Sequence, residues 1–89
     1  MKASELIKAG VKVGDKLYYC LRTTVEEFEV FHINEDKDLI LAYSEDNGSC
    51  TISNYIDDGF ELTRHAAWRK RVEELRAWLS DLEELESKL

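Results

Sequence analysis

Polar and apolar residues alternate from Lys16 to Thr23, with Leu17, Tyr19 and Leu21 on one parity and Tyr18, Cys20 and Arg22 on the other. A period of two with aromatic members predicts a β-strand. Val25 to Ile33 reads as a second strand: Glu26, Glu27 and Glu29 are expected outward, Phe28 and Val30 on the opposite face. By Phe31 and Ile33 the apolar parity has switched, which implies a bulge or a strong bend, a device small barrels use to pass between sheets. Leu39 to Ser44 is nearly all apolar and predicts a short central strand. Asn47-Gly48 is a strong hairpin signal, and Ser49 to Asn54 is its return strand with Cys50 and Ile52 inward. Tyr55 to Gly59 reads as one tight turn, and Phe60-Glu61-Leu62 as a last short strand.

Two helices frame these strands. Ser4 to Gly10 predicts a short one, with Ser4 as N-cap and Gly10 as its stop. Thr63 is placed to cap a long helix running to Leu89. Its apolar positions include Trp68, Leu75, Leu82 and Leu89, spaced by seven, with Trp78 and Leu85 forming an adjacent seam. Val72 and Leu79 widen that stripe beyond a strict two-stranded coil. The expected fold is α+β: a small antiparallel SH3-like barrel or curved sheet of about five strands, a short N-terminal helix and a long C-terminal amphipathic helix. A chain of 89 residues makes one domain. Within it, residues 1–62 form the short helix and sheet, and residues 63–89 the association helix.

Charge alters this picture more than composition does. Residues 1–63 carry six Lys/Arg against thirteen Asp/Glu, a balance of −7. Residues 64–76 balance to +3 and residues 77–89 to −3, so the helix is a neutral dipole on an acidic body. A free helix prefers anions at its N-terminus and cations at its C-terminus; here Arg64, Arg69, Lys70, Arg71 and Arg76 come first, and Asp81, Glu83, Glu84 and Glu86 last. A binding partner is the natural reason for that order. An acidic body argues against direct nucleic-acid binding, which needs clustered cations.

At about 1.5 Å per residue the helix is about 40 Å long, against about 27 Å for a body of this size. The last two turns, with Leu82, Leu85 and Leu89, are therefore expected to overhang. Three fates are open to them. In an antiparallel homodimer the +3 half of one helix would lie beside the −3 half of the other, and a twofold interface matches a surface to itself. Alternatively the helix bends near Ser80 and folds back or frays, or it meets a different protein. The expected partner-binding residues are Leu75, Trp78, Leu82, Leu85 and Leu89, with Arg69, Arg76, Asp81 and Glu84 setting orientation.

Val13-Gly14-Asp15-Lys16-Leu17-Tyr18, and Phe60-Glu61-Leu62-Thr63-Arg64 followed by Ala66-Ala67, resemble small, mostly uncharacterised phage and prophage proteins. Those chains have a Val-Gly-Asp-x-Val-Tyr opening, an SH3-like sheet and a Phe-Leu-Thr-Arg-Glu-Glu-Ala ending. The resemblance covers roughly residues 11 to 67. It departs at His65 and Ala66, where that family is acidic, and in the longer helix after Trp68. It implies a fold and a mobile-element association and supplies no catalytic residues.

Chemistry leaves few marks. His32, His65, Cys20 and Cys50 lack metal-ligand spacing, and the cysteines read as small core residues. No phosphate loop or nucleophile elbow is present. Asp36, Asp38, Glu45, Asp46, Asp57 and Asp58 read as solvated turn residues, and Glu26-Glu27-Glu29 as a charged strand edge that discourages aggregation. Tyr18, Tyr43, Tyr55, Phe31 and Trp68 are candidates for an aromatic peptide groove. No cofactor, metal or enzymatic activity is expected. No apolar run approaches the roughly 18 residues that span a bilayer, and the start of the chain runs straight into an amphipathic segment rather than a leader, so a cytoplasmic location is expected.

The sequence thus points to a non-enzymatic protein-interaction module of phage or prophage origin, dimeric through its last helix, whose acidic body faces a basic protein surface. The alternative is an acidic phage inhibitor of a host nucleic-acid enzyme, such as a CRISPR effector, that mimics nucleic-acid charge. A structural component of a phage particle is a third reading.

Overall fold

Residues 1–89 are described by a computed structural model. The first element, α1 (Ala3–Lys8), begins two residues earlier than the position of Ser4 suggests: Lys2 is the N-cap, and its N–H donates to Glu5 Oε1 at 2.9 Å. Ser4 lies inside the helix, where its N–H donates to Asn54 Oδ1 at 2.9 Å. A side chain brought from fifty residues away thus does the work that a local cap performs elsewhere. The expected stop holds. Gly10 has φ +92°, its N–H donates to Ile7 O, and Val11 N–H reaches back to Leu6 O. That pair of bonds is a Schellman motif, and the glycine supplies the left-handed residue it needs.

The sheet is a four-stranded antiparallel meander in the order β1 (Lys16–Leu21), β2 (Thr24–Asn34), β3 (Leu39–Ser44) and β4 (Gly48–Ile52). Arg22, at φ +57°, turns β1 into β2, and Gly48 at φ +74° closes the β3–β4 hairpin opposite Ser44. The parity switch seen in the sequence is a β-bulge. Val30 pairs with Ala42 but His32 pairs with Leu41, so Phe31 is the extra residue. It is turned out and 49% exposed, while Ile33 returns to the face of Val30 opposite Ile40. The bulge keeps one face apolar while bending the strand.

Two expectations are corrected. Phe60–Leu62 is not a strand: only Glu61 pairs, as a bridge to Tyr18 with N–H to O bonds of 2.9 and 2.8 Å. Phe60 is drawn into the core, stacked on Tyr19 and edge-on to Phe28 at 5.2 Å each, and Thr63 already caps the next helix. The ladder has no room to grow. Residues 53–60 are correspondingly irregular rather than one tight turn. The sheet is open, with β1 and β4 as unjoined outer strands. The second correction concerns Glu26, Glu27 and Glu29, which do not mark an edge, because β2 lies between β1 and β3. Glu29 pairs with Lys16 at 3.1 Å and Glu27 with Arg64 at 3.4 Å. Glu26 shares the parity of Phe28 and is half-buried.

α1 lies on the inner face of the sheet. Leu6, Leu17, Val30, Ile40 and Ile52 are fully buried there with Ala3, Val11, Phe28, Ala42 and Phe60 around them. Below about 70–80 residues such a core supplies only a few kcal/mol, so the body has little stability to spare.

Candidate functional site

The last element, α2 (Arg64–Ser87), starts where Thr63 Oγ1 accepts the Ala66 N–H at 3.0 Å. Ala67 is its one buried residue, 2% exposed; a methyl side chain lets the helix backbone approach β1. Around it, three basic residues fasten the first two turns. Arg64 sits 5.1 Å over the Tyr18 ring and reaches Val25 O. Arg71 Nε donates to Arg22 O at 3.2 Å and its guanidinium lies 5.5 Å from the Trp78 ring. Lys70 Nζ reaches Asp57 Oδ1 at 2.7 Å and Glu61 Oε1 at 3.8 Å.

Asp57 is the hub of that last group. It also receives the Met1 ammonium at 3.0 Å and the Gly59 N–H at 3.0 Å. Burial alone would push a carboxyl up, but the hydrogen bonds from Lys70, the Met1 ammonium and Gly59 outweigh it and hold Asp57 well below the usual carboxylate range. The Lys70 ammonium is disfavoured by burial, yet its bond to Asp57 and the nearby Glu61 raise its pKa. The cluster ties together the start of the chain, the segment after β4 and the long helix.

Beyond Val72 nothing covers α2. Every residue from Glu73 to Leu89 is exposed, and the helix runs on through Ser80 to Ser87 without bending back. The overhang is twice what helix length alone suggests, because only the first two turns lie against the body; the molecule measures 50 × 26 × 20 Å. On it, Leu75 is 41% exposed, Trp78 59%, Leu82 63% and Leu85 57%. Leu89 is fully exposed past the helix end. With about 3.6 residues per turn, Leu75, Trp78, Leu82 and Leu85 line up along one side. Arg69, Arg76 and Glu84 fall on the far side, and Asp81 flanks the seam. Glu84 is 3.7 Å from Lys88 in its own helix. The four charged residues therefore share the helix with the seam but do not all border it.

Lys70, Asp57 and Arg71 anchor the helix although they were not among the candidate residues in the sequence. Arg71 left one signal: it stands seven residues before Trp78, inside the apolar seam. Lys70 and Asp57 left none, since thirteen residues and an irregular segment separate them. The aromatic candidates do not gather in one place. Phe31 and Tyr43 share a shallow depression with Glu29 and Ser49, Tyr18 lies under Arg64, and Tyr55 is 94% exposed. Cys20 is buried and Cys50 half-buried, both free thiols; burial pushes the Cys50 thiol up. No group of three or more His, Cys, Asp or Glu is placed to hold a metal ion. No helix is long and apolar enough to cross a membrane. No protein-family model, curated protein or solved structure matches the chain.

Proposed function

We propose that this chain is a small, non-enzymatic interaction module of the cytoplasm that associates with a second copy of itself through antiparallel C-terminal helices. The observation that carries this reading is the unsupported half of α2: about four turns with a leucine and tryptophan seam in water. Isolated helices of that length are marginal in water, and a continuous exposed apolar stripe marks an interaction surface. The choice of occupant rests on charge complementarity. Along the exposed stretch a second copy laid antiparallel can set the cation Lys88 near an acidic residue of the first copy, whereas a parallel copy sets each acidic residue beside its own like.

Centring the pair on Ser80 sets Trp78 of one helix against Leu82 of the other, and Leu75 against Leu85. Glu74 then approaches Lys88 of the second copy on the flank. Exposed ion pairs are worth about 0–1 kcal/mol each, so they select orientation. Fully burying a leucine contributes about 1.5–3 kcal/mol, and several such side chains from each copy offset the association cost of about 4–15 kcal/mol. Size-exclusion chromatography with light scattering tests the reading directly. A dimer at tens of micromolar supports it, and a strict monomer there removes it. Leu82→Asp or Leu85→Asp should yield a monomer with the sheet intact.

The meander, the bulged β2 and the Glu61 bridge support reading the body as an SH3-like sheet left open between β1 and β4, in keeping with the phage-protein resemblance. A second reading has its own observation. Glu27, Glu29, Glu45 and Asp46 line one concavity in which Lys16 and Arg64 are the only cations. Such a surface suits a basic protein partner, or an inhibitory role in which carboxylates stand where a host enzyme expects phosphates. A pull-down from host lysate that captures no nucleic-acid-binding enzyme removes the inhibitor reading.

A further inference from the structure

The hydrogen-bond parity of the sheet can be followed strand by strand from a fixed point. Tyr18 spends its N–H and C=O on Glu61, outside the sheet. Backbone groups alternate in direction along an antiparallel strand, so Leu17 and Tyr19 face β2. Val30 bonds back toward Asp15 and Gly14, which turns Glu29 toward β3. Opposite it, Tyr43 faces β2, so Ala42 and Ser44 face β4, where they pair with Cys50 and Gly48. Ser49 and Thr51 therefore direct their N–H and C=O groups out of the sheet. Ser53, next in that series, does the same, and its carbonyl accepts the Ala3 N–H at 3.2 Å. Ser49 and Thr51 have no such cover.

The two outer strands are thus treated differently. β1 is closed by Glu61 and flanked by α2. β4, Gly-Ser-Cys-Thr-Ile, carries none of the lysines, prolines or bulges that usually blunt an edge. Beside it the inner face is not filled: α1 covers one end of the core, and a groove of ≈ 280 Å³ remains at the other. Tyr19, Leu21, Phe28, Cys50 and Phe60 supply its apolar lining, Glu26 and Asp58 its charge, and no Lys or Arg lines it.

We infer that the open edge of β4 and this groove form one docking site for an extended segment of a partner protein, with alternating apolar residues and flanking Lys or Arg. Strand addition gives affinity through main-chain bonds and specificity through pockets for alternate side chains. Here the bonds go to Ser49 and Thr51. Every second side chain of the added strand falls on the face of Cys50, over the groove, and its basic flanks meet Glu26 and Asp58. The site lies on the sheet and is independent of the exposed stripe of α2.

The test is an amide NMR titration of the full chain with a blocked peptide, Lys-Lys-Val-Thr-Val-Thr-Val-Lys-Lys, beside the same peptide flanked by glutamates. Saturable shifts at Ser49 and Thr51, slowed exchange of their amides, and binding about tenfold tighter for the lysine form are expected. Thr51→Pro removes one outward N–H at a position where an edge strand tolerates proline, and should abolish binding. If that variant unfolds, Asp58→Lys with its folded spectrum retained should erase the preference for lysine flanks. No shift at millimolar peptide overturns the site, as do shifts confined to Leu75–Leu89. Edge shifts that follow protein concentration without peptide overturn the choice of occupant, since the edge then belongs to a second copy.

Discussion

Lys70 Nζ and Asp57 Oδ1 lie 2.7 Å apart, and this contact helps to fix the direction in which the long helix leaves the body. Residues after Val72 are all exposed, so their direction is set by this contact together with Ala67, Arg64 and Arg71 in the first turns. The basic start of α2, unfavourable to the helix by itself, is the part that grips an acidic body. Half of the inverted charge gradient thus has an intramolecular reason, while its acidic second half is exposed throughout.

Acid should loosen this joint first. Asp57 is held below its ordinary value of 3.8, so its folded form binds protons more weakly than its unfolded form. Its stabilisation is complete above pH 3.8 and is lost as pH falls below that value toward the folded pKa. The side chain is 37% exposed, so solvent screening limits the effect to about 0–1 kcal/mol. Asp57→Asn should lower stability near neutrality by that amount and flatten the acid limb, read from urea midpoints between pH 2 and 5.

Ala67 is the close-contact point between α2 and β1. Ala67→Leu should cost about 1–3 kcal/mol, because the extra methylenes have no space at a 2% exposed site. Thermal unfolding followed by far-ultraviolet circular dichroism checks it. An unchanged midpoint means that the helix is not docked there.

Asp81 and Lys88 together give a test that separates the antiparallel pair from a parallel one. Centred on Ser80, the pair brings Asp81 of each copy to the flank near the twofold axis, where like charges oppose association. Asp81→Asn should tighten the dimer in sedimentation equilibrium, while Lys88→Glu should weaken it by setting two acids together at Glu74. A parallel dimer also sets Asp81 beside Asp81, so the loss on Lys88→Glu, through Glu74 fourteen residues away, is the outcome that marks the antiparallel pair.

Leu6, fully buried between α1 and the sheet, should be the most sensitive site on the short helix. Leu6→Ala is expected to cost about 2–5 kcal/mol, and Gly10→Ala about 1 kcal/mol because Gly10 sits at φ +92°. Urea denaturation measures both, and the order of the two losses is the point at issue.

Local patterns were legible where the physics is local. The Phe28–Val30 to Ile33 parity switch announced the bulge, Gly10 the Schellman stop, Asn47-Gly48 the hairpin, and Thr63 the start of α2. Ser4 misled because a better acceptor, Asn54, arrives from across the fold. Phe60–Leu62 misled because strand-like residues form a strand only if a neighbour offers a ladder, and Tyr18 offers a single rung. Of the candidate interface, the seam was readable at its spacing of seven; the anchoring cluster was not, because Asp57 and Lys70 meet only after folding.

The sequence by itself determined the α+β elements, the amphipathic stripe of α2 and the opposed charges of its halves, since each depends on residues within a few turns of one another. Tertiary structure alone decided that only two turns of that helix are covered, that Glu27 and Glu29 lie inside the sheet, and that the edge of β4 stays open. Those outcomes rest on which distant groups satisfy which backbone and charge, and chain order does not encode that pairing locally.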